Sequence, residues 1–116
     1  MIKYLKLSFL MVFFSGTLLA QQSSVYTHEL TDFNRAVELY KDKQYQAAQI
    51  LFDKVKSKTD NMEVESDCAY YIANCAIRLD QMGADFLVES FVEDYPTSTK
   101  TNQAYIEVAH YYFDQG

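Results

Sequence analysis

Two cysteines and two histidines are the first candidates for reactive or metal-binding side chains in this chain. Cys68 and Cys75 lie seven residues apart, which in one helix separates their α-carbons by about 10 Å. A disulfide tolerates at most ~7 Å between α-carbons, so this spacing excludes a bond between the two. Two helical turns place both thiols on one face and predict buried, unpaired cysteines. His28 and His110 lie far off in sequence and complete no metal-binding pattern with them.

The sixteen acidic residues do not form a catalytic pattern with these groups. No acid joins a histidine and a serine or cysteine at a motif spacing, and the chain has no Gly-rich phosphate loop. Glu63 and Glu65 flank a polar connection, where solvated charges are expected and acid–base catalysis is not. The sequence therefore predicts a protein that is not an enzyme and has no cofactor and no metal site.

The charge distribution argues against nucleic acid and against an anionic membrane surface as partners. Residues 61–116 hold ten acids, and their only bases are Arg78 and Lys100. Binding phosphates requires a basic surface, which this half of the chain lacks. The acidity is interpreted as a contribution to solubility.

The first twenty residues have the layout of a secretory signal peptide: basic residues at the start, a short apolar run and a small residue before the polar "QQSS". The run from Leu7 to Ala20 has 14 residues, whereas a membrane-spanning helix, the alternative, needs about 20. Gln21 stands where a bacterial lipoprotein carries its cysteine. We expect cleavage after Ala20, export to a bacterial periplasm and no stable membrane anchor afterwards.

The rest of the chain has a helical composition, with three Gly and one Pro in the whole sequence and apolar residues recurring at spacings of three and four. An all-α fold of five helices is predicted. Ser66 is expected to cap the third helix and Thr101 the fifth, and Pro96 ends the fourth. The predicted helices cover residues 30–41, 45–56, 67–80, 84–95 and 105–116.

An internal repeat relates these helices. Ala36, Ala73 and Ala109 occupy equivalent places in the first, third and fifth, at separations of 37 and 36 residues. Ala48 and Ala84, 36 apart, align the second and fourth. Self-similarity near this period predicts antiparallel helical hairpins stacked as a solenoid. The alanines let helix backbones approach, and large residues beyond them, Phe52 and Phe91 among them, fill the space beside each crossing.

Two stretches carry a resemblance to a known family. "FNRAVELYKDKQYQAAQILFDKV" resembles a tetratricopeptide repeat, with a small residue in its first helix and Ala-x-x-x-Phe in its second. "FVEDYPTSTKTNQAYIEVAHYYFDQG" is similar to the Phe-x-x-x-Tyr-Pro-x-Ser linker of bacterial envelope members of that family. The resemblance covers about residues 30–116. After a signal peptide (1–20) and a short lead (21–29), it implies repeats at 30–60 and 61–97 and the first helix of a third at 98–116.

The fifth helix is apolar or aromatic on more than one side, which is not expected of a capping helix. We therefore expect that Gly116 precedes a further helix and that the sequence is the N-terminal part of a longer protein. The alternative is a native end, with the fifth helix as a cap.

Stacked hairpins form a curved surface whose inner wall is lined by the first helix of each pair. Peptide-binding candidates on that wall are Tyr40, Lys41, Asn74, Arg78 and His110. Each has a structural alternative: Arg78 can favour the helix dipole, Asn74 can face solvent and His110 can be half-buried. Most of the paired tyrosines at 70, 71, 111 and 112 are assigned to packing.

Three functions are compatible with this surface. The first is an exported scaffold or adaptor that binds other envelope proteins or peptides. The second is a docking module of a larger enzyme or glycan-binding protein whose active domain lies beyond residue 116. The third is self-association through the repeats.

Overall fold

The structure is a computed structural model that describes residues 28–115, and within this range it is all-α, with no strand. The predicted signal peptide and most of the 21–29 lead lie outside the described residues. The compact unit runs from Thr31 to Gly116. Its helices are α1 (28–41, the first three residues preceding the unit), α2 (Tyr45–Lys58), α3 (Met62–Arg78), α4 (Ala84–Asp94) and α5 (Thr101–Gln115). The predicted fold class is confirmed at this level.

The helices follow one another through short connections and pack on their neighbours. α3 packs against α2, α4 and α5, and α4 also packs against α5. The turn between α1 and α2 is closed by Lys43, which adopts a left-handed backbone with φ of 61°. Asp80, with φ of 53°, plays the same part after α3. Gly83, with φ of 82°, directly precedes α4, where a residue without a β-carbon adopts this conformation at no steric cost. None of the helices in the described range is long and apolar enough to cross a membrane.

The start of α3 differs from the prediction. Asn61, not Ser66, is the N-cap: its side-chain oxygen accepts hydrogen bonds from the backbone N–H groups of Glu63 (2.9 Å) and Val64 (3.3 Å). Ser66 is buried one turn inside the helix, where its hydroxyl donates to the Glu63 carbonyl. Thr101 is likewise the first residue of α5 and does not precede it. α5 begins earlier than apolar spacing suggests because its first turn is mostly polar, and α3 does so because Met62 and Val64 alternate with two acids in its first turn.

Removing the Asn61 cap tests this assignment. Asn61→Ala is expected to lower the free energy of unfolding by about 0.5–2 kcal/mol, because two N–H groups at the helix start lose their acceptor. Asn61→Asp keeps a side-chain oxygen and should preserve most of the stability. Urea unfolding followed by circular dichroism measures both. Equal losses in the two variants would contradict the capping role.

The buried side chains form two core clusters. The first cluster joins α1, α2 and α3 around Ala36, Ala48, Phe52, Val55 and the two cysteines. The second cluster joins α3, α4 and α5 around Tyr70, Ala73, Ile77, Ala84, Val88, Phe91 and Ala104. The alanines at 36, 48, 73 and 84 are therefore all buried, each beside the helix that follows or precedes it. α3 is the one helix that supplies buried residues to both clusters.

Cys68 and Cys75 are free and fully buried, as the seven-residue spacing predicts. Burial raises the pKa of each thiol to about 12. Because the thiolate is the reactive form, both cysteines are structural in the folded protein.

Candidate functional site

The predicted inner-wall residues do not share one environment. Asn74 is buried, and its amide donates to the Tyr70 carbonyl at 3.2 Å within α3, so it is not available to a partner. Lys41, Arg78 and His110 are exposed. Tyr40 is half-buried and contacts residues of α2, α3 and α5. The structure brings Tyr40 and Arg78 into one group of side chains.

We call this group the tyrosine–arginine cluster: Tyr40, Tyr45, Arg78, Glu107 and Tyr111. The Tyr40 ring meets the Tyr45 ring edge to face at 5.5 Å. The Arg78 guanidinium lies 6.0 Å from the centres of both the Tyr45 and Tyr111 rings. The cluster thus combines the end of α1, the start of α2, the end of α3 and the middle of α5.

Glu107 connects the two ends of this cluster. The Tyr40 hydroxyl donates to one of its carboxylate oxygens at 3.4 Å, and the amide of Gln103 donates to the other at 3.0 Å. Burial, reinforced by the negative charge of Glu107, raises the pKa of Tyr40 well above its ordinary value. Burial and the same carboxylate raise the pKa of Tyr70 in the same direction. The bond joins residues 67 positions apart and ties α1 directly to α5.

Arg78 is the cationic member of the cluster. It is exposed and has no carboxylate within ion-pair distance, since the ion pair found in the described region joins Lys54 and Asp32. Aromatic faces hold a guanidinium in place while leaving its N–H groups free to donate. An arginine fixed in this way can form a two-pronged pair with a carboxylate from outside.

A second polar region lies where the α4–α5 connection passes the start of α3. It is a surface depression of about 630 Å³ lined in part by Glu63, Asp67, Asp94 and Lys100. The Lys100 ammonium sits over the rings of Tyr70 and Tyr71, at 5.5 and 5.7 Å from their centres. Burial raises the pKa of Asp67, and the Lys100 charge opposes that rise. The depression mixes charges of both signs and shows no preference for one ligand.

The residues predicted to pack the repeats are placed as follows. Phe52 and Phe91 are buried together with the alanines at 36, 48, 73 and 84. Pro96 is exposed in the turn after α4. Ala109 is exposed on α5, where the third copy of the crossing would fall. The buried alanine of α5 is Ala104.

Sequence reasoning missed Tyr45 and Glu107 as members of the cluster and assigned Tyr111 to packing. One signal for Glu107 was present: it lies 36 residues after Tyr71, which faces the preceding hairpin through Tyr40 and Phe52. Extending the repeat by one period would have placed Glu107 on the same side of α5.

The raised tyrosine pKa values predict a loss of stability in alkali. In the unfolded chain these phenols ionise near pH 10, whereas in the folded protein Tyr40 and Tyr70 hold their protons to higher pH. Proton linkage then lowers the free energy of unfolding as pH rises above about 10, and leaves it unaffected below. Thermal melts at about pH 9 and 11 should show this drop, and Tyr40→Phe should reduce it. All ten tyrosines ionising together without unfolding would contradict the expected burial.

Within residues 28–115 no group of three or more His, Cys, Asp or Glu side chains is arranged to hold a metal ion. Comparisons with protein-family models, with curated proteins and with solved structures gave no match to this chain.

Proposed function

We propose that this chain is an exported helical-repeat scaffold of the tetratricopeptide type that binds other envelope proteins. The support for the repeat arrangement is internal. Each core cluster buries an alanine pair at equivalent places of a hairpin, Ala36 with Ala48 in the first and Ala73 with Ala84 in the second. α3 and α5, the first helices of successive predicted hairpins, also pack on each other, and contacts between adjacent repeats are expected of stacked hairpins.

The observation that carries the binding role is Arg78 in the tyrosine–arginine cluster. The guanidinium of this exposed arginine lies 6.0 Å from the centres of two tyrosine rings and has no carboxylate partner in the described chain. Arginine and tyrosine are enriched among the residues that dominate protein–protein affinity. The cluster is therefore suited to bind a partner protein that presents a carboxylate to Arg78. It is less suited to an ion pair between Arg78 and a carboxylate of this chain.

Site-directed photo-crosslinking in the exporting cell tests the binding role. A photoreactive residue at Lys41, the exposed neighbour of Tyr40, should form a discrete adduct with a partner protein. The adduct should weaken in the Arg78→Ala background and partly survive in Arg78→Lys, which keeps the charge but loses the planar contact with the rings. The same photoreactive residue at Glu89, exposed on α4 outside the cluster, is the control.

Two results would contradict the proposed binding role of the tyrosine–arginine cluster. One is an adduct of equal yield from both positions, which indicates nonspecific contact. The other is an adduct from Lys41 that is indifferent to Arg78. In either case the cluster is a structural seam between hairpins and does not recognise a partner.

Export rests on the composition of residues 1–20 and is tested separately. When the chain is produced in a Gram-negative host, the protein recovered from the periplasm should begin at Gln21. Intact-mass measurement identifies the new N-terminus. A cytoplasmic protein that retains Met1 to Ala20 would overturn this part of the proposal.

A further inference from the structure

The further inference concerns the side of α2 and α4 that faces away from the core. Ile50 lies midway between the buried Ala48 and Phe52 and therefore points to the opposite side of α2, where it is 66% exposed. Phe86 lies 36 residues later, at the equivalent place of α4, and is 70% exposed. The internal repeat thus places an exposed apolar residue at the same position of two helices.

This exposure does not come from the end of the sequence. α3 and α4 follow α2 in the same compact unit and α3 packs on it, yet Ile50 remains exposed. A hairpin completed after α5 would stand to Phe86 as α3 and α4 stand to Ile50, and would leave Phe86 exposed in the same way. Packing within the chain therefore does not account for an apolar residue at this position.

α2 and α4 run in the same direction. Each packs on α3 and is joined to it by a short connection, which makes each of them antiparallel to α3. The side-chain amides of Gln49, near the start of α2, and Gln81, just before α4, exchange two hydrogen bonds of 2.9 and 2.8 Å. The two helices therefore begin beside each other, and their exposed sides belong to one surface.

The exposed charges on this surface are opposite in sign on the two helices. Two lysines lie four and eight residues after the exposed apolar residue of α2, and two glutamates lie three and seven residues after that of α4. At 100° per residue the lysines lie to one side of the apolar residue and the glutamates lie to the other. We call this surface the outer α2–α4 face, and it consists of Ile50, Lys54, Lys58, Phe86, Glu89 and Glu93.

A second copy of the chain complements this face. Rotation by 180° about an axis that runs along and between the two helices lays α2 of one copy on α4 of the other, in the same direction. Ile50 then meets Phe86 of the second copy. The same rotation brings the lysine side of α2 over the glutamate side of α4, so that Lys58 comes beside Glu93 of the second copy. Each contact occurs twice, because a two-fold axis relates the copies.

We propose that the outer α2–α4 face is a self-association surface through which two copies of the chain form a symmetric dimer. The proposal rests on the repeat arrangement given under the proposed function and not on the binding role, since Arg78 lies outside this face. The net charge of −6 repels a second copy at long range, but salt screens this repulsion beyond about 8 Å, so the close pairs decide.

The dimer is expected to be weak, because the face offers few apolar side chains. A small interface of this kind is typical of transient complexes, and we expect a dissociation constant on the order of 10–100 µM. At a few micromolar the chain is then a monomer, and unfolding measured there reports on the isolated copy.

Sedimentation of the whole chain from about 5 to about 500 µM at physiological salt measures the association. Phe86→Asp should weaken the dimer roughly tenfold or more, because two apolar contacts are lost at once. Phe113→Asp is the matched control, since Phe113 is 81% exposed on α5 and lies outside the face. It should leave the dissociation constant within about twofold.

Exchanging charges between the helices gives a sharper test. Lys58 and Glu93 are chosen because Lys54 already forms an exposed ion pair with Asp32 at 3.5 Å. Lys58→Glu and Glu93→Lys should each weaken self-association about fivefold or more, since each brings like charges together twice. An equimolar mixture of the two variants should recover nearly the original affinity, because opposite charges then meet at both places. A folding defect in either variant would not be repaired by mixing.

Three results would overturn the proposal. The first is a monomer throughout the concentration range. The second is a dimer that Phe113→Asp dissociates and Phe86→Asp leaves intact, and the third is a mixture of the two charge variants that associates as weakly as either variant alone. The role of the tyrosine–arginine cluster fails separately, because it is judged by the Lys41 adduct. A self-adduct from Glu89 in that experiment is recognised by its mass, which is twice that of the chain.

Discussion

Replacing Phe52 with alanine is expected to lower the free energy of unfolding by about 3–5 kcal/mol. Phe52 is completely buried, stacks on Tyr71 with ring centres 4.6 Å apart, and meets Phe33 edge to face at 5.8 Å. Truncation leaves a cavity where α1, α2 and α3 meet, and rings from two of these helices lose a partner. A loss of this size is a large part of the 5–15 kcal/mol that stabilises a typical domain.

Phe86→Ala is the control for Phe52→Ala, because it removes the same atoms from an exposed position on α4. Its effect should stay within about 0.5 kcal/mol. Denaturant unfolding of the two variants, analysed for midpoint and slope, gives the comparison. Similar losses for both variants would show that Phe52 does not hold the first cluster together.

The second large effect is expected from enlarging a crossing alanine. Ala48→Leu should lower the free energy of unfolding by about 1–3 kcal/mol, because three additional carbon atoms must fit into the buried first cluster, to which α1, α2 and α3 contribute. Ala48 is completely buried in the first cluster together with Ala36. The side chain gained is apolar, so the loss would come from packing and not from polarity.

Ala47→Leu is a closely matched control, since Ala47 is the preceding residue of the same helix and is exposed. The substitution is identical, helix propensity changes equally, and only the surroundings differ. Thermal unfolding of both variants should show a clear fall in Tm for Ala48→Leu alone. Equal melting temperatures would contradict the close approach of the two helices at Ala48.

The sequence predicted the helices and the buried alanines because both depend on local spacing. Apolar residues at spacings of three and four indicate a helix whatever it packs against. The 36- to 37-residue period predicts that Ala73 is buried in the same way as Ala36. The predicted start of α3 was wrong because "SKTDNMEVES" contains several residues that can cap a helix. Met62 and Val64 are the only apolar residues of that stretch, so it resembled a polar connection and the helix start at Asn61 was not recognised.

The candidate site was predicted less completely, because its contacts are not local. Asn74 was assigned to the inner wall as a polar residue, but its amide is satisfied by a carbonyl one turn earlier in the same helix. Tyr40 and Glu107 are 67 residues apart, and neither sequence neighbourhood indicates the other. Arg78 was found as a candidate, whereas the two rings beside it belong to α2 and α5 and required the fold to be known.

The position of α3 between the two clusters has a consequence for how the protein comes apart. Detaching α1 and α2 uncovers one side of α3, and detaching α4 and α5 uncovers the other. Amide protons in the middle of α3 should therefore exchange with solvent most slowly, at a rate set by complete unfolding. Amide protons of α1 and α5 should exchange faster, since either outer helix can detach while the other core cluster stays packed on α3.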